Sequence, residues 1–142
     1  MRISAKIDYA CRALLALSLH WPNKIPMRIS KIAQSQQIPM KFLTQILLNL
    51  KQMGYVQSTR GKNGGYLLSK NPQKIKLSGL IENMGGIGYS VTENRQDGND
   101  THMMDLIWGE VDKTMLKTMS EIDFESIADR KRRRDKAFMF QI

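Results

Sequence analysis

The side chains best suited to engage a ligand lie in residues 26–69. Arg60 and Lys62 flank Gly61 in a run that continues Asn63-Gly64-Gly65, and Lys41, Thr44 and Gln45 recur upstream at helical spacing with Met40 beside them. These residues offer positive charge and hydrogen-bond donors, but no nucleophile and no acid–base pair. Glycines next to cations let a backbone come close to an anion. In a DNA major groove, Gln can bond an adenine edge and Lys a guanine edge. The Gly61-Lys62 pair is not a nucleotide-binding loop, because Asn63 follows the lysine and the GxxxxGK[ST] spacing is absent. The chemistry indicated is recognition of a polyanion.

Other reactive side chains are few. His20 and His102 lie beside no paired carboxylate or nucleophile motif, so an enzyme is not expected. The single cysteine, Cys11, sits on an apolar stripe, where a lone cysteine usually packs. One cysteine allows neither an internal disulfide nor a cysteine-built metal site, and a reducing cytoplasm fits that usage. The apolar run 13–19 follows Lys6 and Arg12, which faintly mimics a signal peptide, but it is too short to span a bilayer. No membrane association is expected.

Charge placement points the same way. Residues 1–80 hold thirteen Lys/Arg and a single carboxylate, Asp8, whereas residues 81–142 hold nine Lys/Arg and twelve Asp/Glu. The positive field thus belongs to the half that carries Arg60 and Lys41, as phosphate contact requires.

These side chains need elements to position them. Ser4 caps a first helix running to about His20, with Ile7, Ala10, Leu14 and Leu17 on its buried stripe. A second helix covers roughly 28–34, with Arg28 and Lys31 in its first turn. There the macrodipole disfavours cations and a nearby phosphate would favour them. After the turn 35–37, Pro39 opens a third helix whose inner face is Leu43, Ile46, Leu47 and Leu50 and whose outer face lacks carboxylates. Two short strands, 55–58 and 66–69, bracket the glycine-rich tip. Ser78 caps a short helix that Gly85 closes, and residues 85–101 form a flexible loop. A long amphipathic helix over 102–120 then carries Met104, Ile107, Trp108, Val111, Met115 and Met119 on or beside one stripe, a candidate dimer interface. Asp123 caps a last short helix, followed by the basic run 130–134.

The fold class expected is mainly α with a small β-hairpin: a winged helix-turn-helix over 1–84, a loop over 85–101, and a dimerisation helix with a basic C-terminal segment over 102–142. Certain residues also resemble a known family. They are Tyr9-Ala10 and Arg12-Ala13-Leu14, Ile32-Ala33, Phe42-Leu43 with Gln45-Ile46-Leu47 and Leu50, and above all Arg60-Gly61 with Gly64-Gly65-Tyr66 and Leu68. Together these are similar to the Rrf2 family of bacterial transcription regulators, from residue 1 to about 128. The resemblance implies a homodimer that reads double-stranded DNA. Its third helix would lie in the major groove and Arg60 of the wing in the minor groove, and the long helix would cross its mate.

Carried over by position, the base readers are Lys41, Thr44 and Gln45. Arg28 and Lys62 meet the backbone, and Gly61 and Asn63 complete the wing tip. Cluster-binding relatives have three cysteines before the long helix, whereas residues 83–105 here contain none. Asp8 and His102 stand near positions that can supply a fourth ligand, but without thiolates they cannot hold a cluster. No iron–sulfur cofactor and no other metal are therefore expected, and an effector protein or small molecule is left open. The alternative reading is a winged-helix adaptor that binds a protein partner, since a fold alone does not fix function.

Overall fold

The computed structural model describes residues 2–86 and 103–141. Helix α1 (Ala5–His20) is followed by α2 (Ile29–Gln36), α3 (Met40–Gln52), strands β1 (Val56–Thr59) and β2 (Gly65–Leu68), and a 3-10 turn over Pro72–Lys74. Helices α4 (Leu77–Asn83), α5 (Met103–Ser120) and α6 (Phe124–Phe140) complete the described chain.

Local signals account for most boundaries. The Ser4 hydroxyl accepts from the Ile7 amide and caps α1. Gln37 adopts the left-handed conformation (φ 54°) and ends α2, so that helix runs two residues past the expected 34. Pro39 is the N-cap of α3 rather than its first helical residue. Ser78 does not cap α4: the helix begins at Leu77 behind Lys76, with no side-chain cap.

The apolar stripes of α1, α2 and α3 meet as their spacing demands. Leu14, Leu17, Ile32, Leu43, Leu47 and Leu50 are all essentially fully buried in one cluster, which β1 and β2 close through Val56 and Leu68. The strands pair antiparallel, Val56 with Leu68 through Thr59 with Gly65. A third rung comes from before α2: the Met27 amide donates to the Tyr66 carbonyl at 2.9 Å and the Tyr66 amide to the Met27 carbonyl at 2.8 Å. The hairpin is thereby fixed to the start of α2.

The last helix is not short. It runs seventeen residues, and the basic run 130–134 is helical. Asp123 caps it by accepting from the Ser126 amide. Phe124 is buried in the same core as α1, with Ile127 packed against it, and the Phe124 amide donates to the Ile75 carbonyl at 3.0 Å. Helix α6 therefore packs its first turn into the core built by α1, α2 and α3. Ion pairs three and four residues apart, Lys131 to Asp135 and Arg132 to Asp129, support its outer half. Most of the loop expected over 85–101, and His102, lie outside the described residues.

Candidate nucleic-acid interface

The wing tip follows from its glycines. Gly61 has φ +105°, a conformation side chains rarely adopt, and its carbonyl accepts from the Gly64 amide to close a turn. Gly65 lies so close to the second-helix entry that a Cβ there would sit 2.4 Å from the Met27 carbonyl oxygen. This contact brings the tip beside the N-terminus of α2. Arg28, the N-cap residue of α2, reaches across and donates from Nη2 to the Lys62 carbonyl at 2.5 Å. Arg28 is thus placed to hold the wing as well as to meet an anion.

Between α2 and the wing lies an open cleft of about 690 Å³. Arg28, Lys51, Arg60 and Lys62 line it together with the hydroxyls of Ser30, Ser58 and Thr59, and no carboxylate does. The Lys51 ammonium donates to the Ser58 hydroxyl at 2.7 Å, tying the end of α3 to the hairpin. Four cations with hydroxyls and exposed backbone around one concavity give it the positive field and donors that phosphates favour.

The outer face of α3 presents Met40, Lys41, Thr44, Gln45 and Leu48, all exposed. The Thr44 hydroxyl donates back to the Met40 carbonyl at 3.0 Å. The Gln45 side-chain amide donates to the Asn49 side chain at 3.0 Å. Asn49 therefore orients Gln45, a role not read from sequence because Asn49 carries no charge and lies one turn beyond the residues singled out. Lys51 and Ser58 were missed as well, since only the packing of α3 on the hairpin joins them to the cleft beside the wing. Lys41 and Gln45 do not line that cleft; they border a second one between α3 and α1. Asn63 is exposed at the wing tip.

Of the expected interface residues on α5, Met104, Ile107, Trp108 and Val111 are exposed and Met115 is half-buried. Met119 is not available to a partner. It is 8% exposed and packs within its own chain against Ile7 and Ile81.

The one cysteine of the chain, Cys11, lies in α1. Cys11 packs among Ile7-side core residues, and burial first, then the nearby Asp8 charge, pushes its thiol up to about 11. Asp8 is engaged with Arg12 at 2.9 Å. Among the described residues no group of three His, Cys, Asp or Glu side chains could hold a metal ion.

Comparison with known proteins agrees with this geometry. The family model Rrf2, described as an iron-dependent transcriptional regulator, matches residues 3–130. The HTH-type transcriptional regulator IscR of Pectobacterium atrosepticum is 28% identical over 135 residues, 92% of this chain and 81% of that protein. Protein rrf2 of Nitratidesulfovibrio vulgaris is 27% identical over 124 residues, 84% of this chain and 82% of its own. Among solved structures, the cysteine regulator CymR of B. subtilis superposes with a TM-score of 0.78 at 24% identity, covering 92% of this chain and 98% of that one. IscR of T. potens gives 0.76 at 24% identity, covering 92% and 88%. The winged helix with its basic cleft thus has the fold of these regulators, and the chain belongs to the Rrf2 family of DNA-binding transcriptional regulators.

Proposed function

We propose that this chain is a sequence-specific regulator that binds a two-fold-symmetric operator as a homodimer, without an iron–sulfur cluster. Helix α3 enters the major groove, where Lys41, Thr44 and Gln45 face base edges and Met40 adds an apolar contact. Arg60 enters the adjacent minor groove. Arg28, Lys51 and Lys62 neutralise phosphates, and Gly61 and Asn63 let the tip lie close to the backbone.

The observation that carries this reading is the carboxylate-free cleft between α2 and the wing, ringed by Arg28, Lys51, Arg60 and Lys62. The dimer is supported by the apolar side chains Met104, Leu106, Ile107 and Val111 exposed along one helix, a surface that needs cover. The cluster-free reading extends the sequence expectation that residues 83–105, which hold no cysteine, supply no thiolate ligands.

Selection of bound fragments from a random DNA pool tests the proposal. The expected outcome is a palindromic motif with half-sites about one helical turn apart, and an affinity that falls steeply as salt rises. No enrichment, or enrichment without symmetry, would count against it.

A further inference from the structure

We propose that the second cleft, between the N-terminal half of α1 and α3, binds a small amphipathic monoanion, an aromatic carboxylate being the best-matched class, and that this ligand competes with DNA for Lys41 and Gln45. The inference rests on the reading of α3 as the base-contacting helix.

The cleft holds about 380 Å³, within the range of small-ligand sites of roughly 300–1,000 Å³. Its walls are mainly apolar. Tyr9 and Phe42 stack with ring centroids 6.1 Å apart, and Phe42 stays 47% exposed. A half-exposed phenyl ring beside a recess is an unfilled stacking surface for another ring. The rim is cationic. Lys6 borders it from α1 and Lys41 from α3, and no carboxylate lines it. The Lys41 ammonium lies 4.9 Å from the centre of the Phe42 ring, so charge and stacking face meet at one point. Gln45 and Asn49 supply the remaining polar groups.

An apolar recess with two ammonium groups at its mouth fits a ligand with an apolar body and one anionic head. A dication would be repelled. A neutral hydrocarbon would leave both charges unanswered, and a polyphosphate would find no apolar complement. Lys41 and Gln45 cannot bind such a ligand and also face base edges in the same geometry. Ligand binding therefore weakens DNA binding, and DNA weakens ligand binding by the same factor.

The test uses the full chain and 3-phenylpropionate, with its uncharged amide 3-phenylpropanamide as control. Binding is followed by heteronuclear NMR shifts. The carboxylate should shift amides in residues 5–9 and 41–49, and the amide should bind at least tenfold more weakly. Lys6→Gln should weaken carboxylate binding at least fivefold with an unchanged circular dichroism spectrum. Ala5→Leu, which fills the recess from the first turn of α1, should abolish it. Saturating carboxylate should weaken operator binding at least threefold.

Equal binding of acid and amide, shifts centred on α5, or no shifts at millimolar carboxylate would overturn the site. Occupancy that falls as protein concentration rises would show that a second copy of the chain fills the cleft, and would also overturn it. Carboxylate binding with unchanged operator affinity would overturn the competition. If the ligand-free protein binds no DNA, the base-reading assignment fails and the competition with it, while the site itself stands or falls by the NMR shifts.

Discussion

Arg60 and Cys11 show how differently one side chain can matter. Arg60 is exposed at the edge of the cleft between α2 and the wing. Arg60→Ala should weaken operator binding by about 1–3 kcal/mol and leave the thermal melt unchanged; a gel-shift titration with unaltered affinity would reject the minor-groove role. Cys11 is the opposite case. Partly buried, it packs against both core clusters, and that burial favours its protonated thiol. Iodoacetamide at neutral pH should therefore modify the native protein far more slowly than the unfolded one. The sign of the pH effect follows. With its pKa raised from 9.0 to about 11, the folded state holds the proton more tightly, so stability is whole below about pH 9 and declines between pH 9 and 11. Urea melts across that range check it, with Cys11→Ala as the reference that should lack this component. Arg60 could be read from the sequence because its glycine neighbours exposed it. The burial of Cys11 was legible from its stripe, and the coupling to Asp8 one turn earlier was not.

At the scale of elements, the wing depends on a contact between segments nearly forty residues apart in sequence. Gly65 sits against Met27, and the rung between Met27 and Tyr66 fixes the hairpin to α2. Gly65→Ala would force its Cβ into the Met27 carbonyl, and backbone cannot step aside as a flexible side chain can. The expected cost is at least about 1 kcal/mol in chemical denaturation, with a further loss of operator affinity from the displaced tip. A variant with wild-type stability and affinity would show that the wing tolerates detachment from α2. The glycine-rich tip was legible from sequence, but its docking on α2 was not, because no local pattern encodes which segment supplies the third rung. The same limit explains α6. A run of five cations reads as a helix end or a tail by local propensity. It is helical here because Phe124 and Ile127 anchor the first turn in the core and acidic residues one or two turns away pair with Lys131 and Arg132.

At the scale of the whole molecule, one half of the chain carries charge for DNA and the other carries an apolar helix with an exposed face. The proposed dimer would cover Met104, Ile107, Trp108 and Val111 and bring two wings onto one operator. Trp108→Asp should yield monomers by light scattering, with operator affinity reduced at least tenfold because each head then binds alone. An intact dimer would exclude this face as the interface. Met119 sharpens the limits of that surface. Its spacing put it beside the stripe, but α4 and the first turn of α1 reach it first and bury it within its own subunit.

The sequence by itself determined the three-helix core, the hairpin and the sign of the field. Each is written in local terms: apolar spacing of 3.6, glycines at a turn, and cations without carboxylates. Only the tertiary structure decided which cations act together. Packing of α2, α3 and the hairpin gathers Arg28, Lys51, Arg60 and Lys62 around one cleft, whereas Lys41 and Gln45, close to Lys51 along the same helix, face a different one. Helical rotation and the approach of α1 set that division, and both depend on contacts between residues far apart in the chain.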